Sequence, residues 1–208
     1  MIVTTTTHMA WEEDRPFADA EDTEELCRLI EQYGYVIAAK HKAGQPKISG
    51  PEPETLKRLS GFCDLLLVEA DGARRLPLKV PAVHEPVIPE FADIVVGVTG
   101  LDCIGKKICD IAHRPEDVAE FLRKKTDEPV MWEDVVKIAA AEDGLRKNVG
   151  EKSFLVYFNK ADVLESSGVA ENIIKKCREA GIEAVCGSLK KIMERQEICR
   201  KFHGIRRK

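Results

Sequence analysis

No two cysteines in this chain stand at the short spacing a zinc site uses. The seven are scattered at 27, 63, 103, 109, 177, 186 and 199, and the six-residue step from Cys103 to Cys109 fits no zinc pattern. The five histidines are as dispersed, so no metal cluster of either type is expected. The cysteines, odd in number and set in apolar contexts, read as reduced core thiols. A leader peptide and an apolar run of membrane-spanning length are also missing, which predicts a cytoplasmic protein. The net charge of −4 argues against nucleic acid or an anionic membrane as the main partner. The clearest cationic cluster is Arg200, Lys201, Arg206, Arg207 and Lys208, read as a solvated chain end. Without repeats, low-complexity segments or a visible boundary, residues 1–208 are expected to form one α/β domain.

What is present alternates between strand-like and helix-like segments, the pattern of an α/β fold with a mostly parallel sheet. Met1–Thr6 opens as a strand. Over 22–33, Leu26, Leu29, Ile30 and Tyr33 share a helical face, and Gly34 stops the helix. Strands are expected at 35–39, 65–68, 94–98, 154–158 and 182–186. Helices are expected at 53–62, from near Pro115, from near Met131, and at 169–180. Pro77, Pro81, Pro86 and Pro89 mark an ordered surface loop between the strands at 65–68 and 94–98.

The most informative segment is Phe154–Asp162, where an apolar strand runs into Asn159-Lys160-Ala161-Asp162. This is the Asn-Lys-x-Asp pattern with which GTP-binding proteins read guanine. A carboxylate at Asp162 can accept from the guanine N1–H and exocyclic amine, a donor pair adenine does not offer. Asn159 can bond the base edge and tie loops together, and the Lys160 stem can lie along the purine face while its ammonium stays wet. Such polar pairing rejects the wrong base strongly, because buried groups are then left unpaired. The competing reading is a strand that merely ends in a polar turn.

Other strand ends are polar too, and in open parallel sheets ligands sit at the carboxyl ends. Glu69 and Asp71 after the strand at 65–68 resemble a Walker B element, whose acidic group holds Mg²⁺ or polarises a water; Asp71-Gly72 also suits a plain turn. The run Thr4–Thr7 suits strand formation, phosphate binding or a metal-bound water. Arg74 and Arg75, just past the acidic turn, are candidates for gripping an anion, as is His84.

Taken in order, Thr4–Met9, Val68–Lys79, His84–Pro89, Val96–Asp102, His113–Glu116 and Asn159–Asp162 resemble the accessory proteins of selenium-dependent molybdenum hydroxylases, the YqeC type. The resemblance runs from residue 1 to about 190. It implies a three-layer, P-loop NTPase-like fold of the class that contains MinD, dethiobiotin synthetase and metallochaperone GTPases (the SIMIBI class). It also implies a role in making or inserting the labile selenium-containing cofactor of those hydroxylases. On this reading Asn159, Lys160 and Asp162 hold the base of GTP (or ATP) with Gly187 and Ser188 closing over it. Glu69 and Asp71 serve Mg²⁺ or water, and Thr5 or Thr6 lies near the γ-phosphate. The partners are then a nucleotide and a molybdenum hydroxylase or its cofactor.

In such proteins a strand and a Gly-rich Lys-Thr phosphate loop precede the threonine-rich strand, and this sequence opens at the latter. The expectation is therefore an N-terminally truncated form, or a sheet closed by pairing with another copy. Gly100–Lys107 nearly fits a phosphate loop, but Lys107 lacks the hydroxyl that would meet Mg²⁺; a turn with two exposed lysines is expected there. Two other functions suit the same residues. One is a non-catalytic module that docks its partner through the 72–90 loop. The other is a small-molecule kinase or transferase that uses Arg74, Arg75 and His84.

Overall fold

A computed structural model describes residues 1–42 and 44–194. The basic tail and Cys199 lie outside the described residues. The contacts of the chain gather in two compact units, Met1–Gly72 with Val83–Asp93, and Ala73–Ala82 with the segment from Ile94 onward.

The first unit is built on a six-stranded sheet. Its elements are β1 (Ile2–Thr5), β2 (His8–Ala10), β3 (Phe17–Asp19), α1 (Thr23–Tyr33), β4 (Val36–His41), β5 (Lys47–Ser49), α2 (Pro53–Leu59) and β6 (Leu66–Glu69). β1 lies parallel between β4 and β6, and β3 adds to β4 in parallel, whereas β5 runs antiparallel to both β2 and β4. Pairing in this unit is thus mixed. The short β2, β3 and β5 were not legible as strands, since three residues show no clear alternation.

Helix α1 follows its sequence closely. The Asp22 side chain accepts from Glu25 N at 3.0 Å, and Gly34 turns left-handed at φ 79°, its N–H reaching Ile30 O at 2.8 Å. These contacts satisfy donors and acceptors that a helix end would leave orphaned. Leu26 and Leu29 pack with Ile2, Val36, Ala38 and Leu59. Burial of a large apolar side chain is worth roughly 1.5–3 kcal/mol, so these few residues anchor the unit. Tyr33, expected on the apolar face, is instead 52% exposed. It is the last helical residue, and its hydroxyl accepts from Gln32 Nε2 at the helix end.

The second unit carries β7 (Leu78–Lys79), β8 (Ile94–Gly100), α3 (Ile108–Ile111), β9 (Ala112–His113), α4 (Pro115–Leu122), α5 (Trp132–Ala140), β10 (Ser153–Asn159), α6 (Ser167–Glu179) and β11 (Glu183–Cys186). Residues 189–194 are helical. β8, β10 and β11 form a parallel sheet with β10 in the middle, and β7 pairs with β9 in parallel. Val156 and Phe158 of β10 are fully buried against a core that includes Val118, Val135, Ile138, Ile173 and Cys177. The alternate residues are wetter: Ile94, Val96, Val98 and Val185 are 47–62% exposed. A parallel sheet ordinarily covers both faces, so this apolar side sets the sheet apart from the usual pattern.

In the loop from Arg123 to Met131, Lys124 Nζ meets Pro129 O at 3.1 Å and also the Asp134 carboxylate, which in turn accepts from Met131 N at 2.8 Å. That bridge joins the end of α4 to the start of α5. The observed class is α/β with mixed sheets, and among the described residues no helix is long and apolar enough to cross a membrane.

The reading of the cysteines as core thiols holds for Cys103 and Cys177, which are buried; Cys27 and Cys109 are exposed. Burial, and next the neighbouring Asp102 charge, pushes the Cys103 thiol up to about 12. Burial pushes Cys177 to about 11. Neither is a thiolate at neutral pH, so neither is a ready nucleophile.

Candidate functional site: a polar corner at the ends of three parallel strands

Register decides what meets at the end of the three-stranded sheet. Asn159 pairs with Gly100, and Phe158 pairs with both Thr99 and Cys186. The three strands therefore finish level, and the turns that follow them, 100–103, 159–163 and 187–188, emerge side by side. This is why segments far apart in sequence share one corner, in keeping with the strand-end rule for parallel sheets.

Backbone bonds fasten these turns. Gly187 N donates to Phe158 O at 3.0 Å, and Ala161 N donates to Gly187 O at 2.9 Å. Asn159 Oδ1 accepts from Lys160 N at 2.8 Å and from Leu189 N at 3.1 Å. The side chain expected to tie neighbouring loops together does so. With its oxygen used twice, its remaining capacity is the Nδ2 amino group, a donor suited to a purine nitrogen or carbonyl.

Asp162 stands in the short turn Ala161–Val163 and is exposed. The Ser188 hydroxyl bonds its carboxylate and is the main reason the group titrates below the ordinary aspartate range; the charges of Lys191 and Lys190 act in the same direction. Ser188 also helps begin the next helix, with its Oγ accepting from Lys191 N at 3.4 Å and its carbonyl from Ile192 N at 3.1 Å. The result is an ionised acceptor steadied by a neighbouring hydroxyl, beside an amide held by two backbone N–H groups.

Lys160 takes a left-handed backbone, φ 61° and ψ 35°. Its ammonium pairs with Asp102 Oδ2 at 2.7 Å. Asp102 follows β8 and closes the family-like stretch Val96–Asp102, where the sequence alone assigns it no role. The contact spans 58 positions, so no local signal could have revealed it. Gly187 is small for a reason: a Cβ there would come within 2.5 Å of Tyr157 Oη.

The remaining predicted residues fall into other settings. Thr5 and Thr6 belong to the first unit, where their hydroxyls serve the fold. Thr5 Oγ1 donates to Glu69 O at 2.9 Å and accepts from Thr7 N at 2.9 Å, while Thr6 Oγ1 donates to Val87 O at 2.7 Å. Glu69 closes β6, and Asp71 follows two residues on. His84 is highly exposed, its Nε2 3.8 Å from Glu85 Oε1. Arg74 and Arg75 lie in the second unit, exposed, both with positive φ.

The near-match to a phosphate loop at Gly100–Lys107 spends its amides internally. Ile104 N reaches Leu101 O, Gly105 N reaches Val130 O, and Lys106 N reaches Cys103 O. Lys106 and Lys107 are exposed, the turn with two solvated lysines that the sequence suggested. Among the described residues no cluster of three metal-ligating side chains occurs.

Fold and corner together define an α/β protein that delivers polar side chains at the carboxyl ends of parallel strands. Comparison places it more narrowly. Residues 1–116 match the family model described as "YqeC protein". A relative from Escherichia coli (strain K12), described as "Uncharacterized protein YqeC", is 30% identical over 209 residues, covering 97% of this chain and 80% of the relative. The chain belongs to the YqeC family. No solved structure gives a significant match.

Proposed function

We propose that this protein binds a guanine nucleotide at the corner formed by Asn159, Lys160, Asp162, Gly187 and Ser188, and that it works as a nucleotide-dependent accessory protein in maturing the selenium-containing cofactor of molybdenum hydroxylases. The observation that carries base binding is the preset pair of Asn159 and Asp162. Each is held by hydrogen bonds from its neighbours before any ligand arrives. Preset donors and acceptors bind without the entropy cost of being ordered by the ligand. The maturation role draws on the family resemblance, and so does a P-loop NTPase-like fold, with which parallel strands ending in polar turns agree. A cytoplasmic location belongs to the same reading.

Glu69 and Asp71 are the residues suited to Mg²⁺. Their carboxylates are hard oxygen donors, and Mg²⁺ usually takes only one or two protein carboxylates, completing its shell with water and phosphate. Gly72 lies beside Glu69: a Cβ there would come to 3.8 Å from Oε1, an ordinary contact distance. When bound, Mg²⁺ would neutralise phosphate charge. Arg74, Arg75 and His84 remain candidates for an anionic second partner.

The test is a titration of isotope-labelled protein with Mg·GDP, Mg·GTP and Mg·ADP, read as amide shifts at Asn159–Asp162 and Gly187–Leu189. Saturable shifts with the guanine nucleotides and weaker ones with ADP are expected. Asp162→Asn should remove the preference while leaving the thermal midpoint in place. Equal response to GDP and ADP, or shifts elsewhere only, would overturn the assignment.

A further inference from the structure

Lys160 is held at two points. Its backbone N–H donates to Asn159 Oδ1, and its ammonium pairs with Asp102 Oδ2. The Lys160 side chain is 45% exposed, against 24% for Asp102. The lysine stem is therefore accessible along part of its length while its end is fixed. Asp102 Oδ1 is buried and has no hydrogen-bond partner. The ion pair through Oδ2 is thus this carboxylate's principal compensation for being taken out of water.

The surroundings admit this pose because Gly100 has no side chain. A Cβ at Gly100 would lie 2.5 Å from Asp102 Oδ1 and 2.8 Å from Pro77 Cβ. Gly100 N in turn donates to Pro77 O at 2.9 Å, which fixes the turn against which the carboxylate folds back. A strand-end glycine, a proline and a short helical turn thereby place one negative charge where it captures the lysine of the next strand end.

We propose that Asp102 is a positioning residue for ligand binding: it holds the Lys160 stem extended as a ready support for the flat face of a purine. The proposal rests on the base-binding reading and adds the residue that presets the lysine. A free lysine samples many rotamers, and pressing it against a base costs that freedom. A lysine already held by Asp102 loses little more. Asp102 thus adds affinity without choosing between guanine and adenine, since it acts on the face of the base and Asp162 acts on its edge.

A double-mutant cycle tests this. Mg·GDP and Mg·ADP affinities are measured by amide-shift titration for wild type, Asp102→Asn, Lys160→Met and the double variant, with thermal midpoints recorded for all four. Asp102→Asn alone should weaken GDP binding about 5- to 10-fold and ADP binding by a similar factor. In the Lys160→Met background the same change should cost less than about 2-fold, because the group it acts through is gone. An equal loss in both backgrounds, or no loss in wild type, would overturn the role of Asp102 while leaving base binding intact. Wild type showing no response to GDP would instead remove the base-binding reading, and this inference with it.

Discussion

The two strand-end corners of this protein use hydroxyls and carboxylates in opposite ways. At the end of β1, the threonine side chains bond to main chain: Thr5 to Glu69 O and Thr7 N, Thr6 to Val87 O. They knit a sheet edge to a loop. At the ends of β8, β10 and β11, main chain and hydroxyl bond to ligand-type side chains instead, with Asn159 and Asp162 held by Leu189 N and Ser188. The first arrangement spends polar side chains on the fold. The second spends the fold on aiming polar side chains, which is what a binding site requires.

The contrast breaks most violently at Gly50. A Cβ there would overlap the Thr5 carbonyl oxygen and press on Thr6 Cα, and backbone atoms have little room to give. Gly50→Ala should cost about 3 kcal/mol, the upper part of the overpacking range, read from chemical unfolding. Guanine binding in the other unit should survive wherever that unit stays folded. Loss of nucleotide response at unchanged stability would contradict the division of labour between the corners.

Gly187→Ala strikes the second corner. The new methyl meets Tyr157 Oη at 2.5 Å and Cζ at 3.2 Å, and a rigid ring yields less than a flexible chain. A stability loss of about 1–2 kcal/mol is expected. The larger consequence is functional, because Gly187 O holds Ala161 N and its own N–H holds Phe158 O. The turn bearing Asp162 should shift, and guanine preference should fall even in conditions where the variant is fully folded.

Thr5→Val sharpens the comparison further, since it keeps shape and removes the hydroxyl. Three hydrogen bonds are lost, to Glu69 O, Thr7 N and the Thr7 hydroxyl, for about 2 kcal/mol in total. A structural threonine predicts lower stability with an unchanged ratio of GTP to GDP affinity. A threonine that meets the γ-phosphate predicts a selective loss of GTP affinity. The same variant therefore decides between the reading drawn from sequence and the one suggested by geometry.

Sequence reached the elements well where they were long and periodic. Helix α1 carried its own caps in Asp22 and Gly34, and the strand at β10 was a near-continuous apolar run. Asn159, Lys160 and Asp162 are legible as a candidate site because the Asn-Lys-x-Asp pattern is compact. Ser188 was legible as a strand-end neighbour, although its bond to Asp162 depends on register. Asp102 was invisible as a functional residue, since nothing local marks a carboxylate that waits for a lysine 58 positions away. A run of threonines looks the same in sequence whether it faces a ligand or a backbone carbonyl, and the bonds to Glu69 O and Val87 O depend on segments more than 60 positions away.

The smallest expected effect concerns acid. The Ser188 hydroxyl, then the backbone N–H of Asp162 and the charges of Lys191 and Lys190, hold the Asp162 carboxyl below the ordinary aspartate value. A carboxyl whose folded pKa is depressed contributes stability that is present above the unfolded pKa and is lost as pH falls through the folded one. The contribution of an exposed group is slight, so the cleaner readout is binding. Guanine preference should persist as pH drops to the ordinary aspartate value and fade only beneath it, as Asp162 gains its proton and ceases to accept. Ser188→Ala should move that fading upward, toward the ordinary value, because it removes the largest cause of the shift. The carboxyl resonance of Asp162, followed by pH titration in both proteins, measures the difference directly. An identical midpoint in wild type and Ser188→Ala would mean that the hydroxyl does not steady the carboxylate, and the corner would lose the feature that most separates it from the threonine corner.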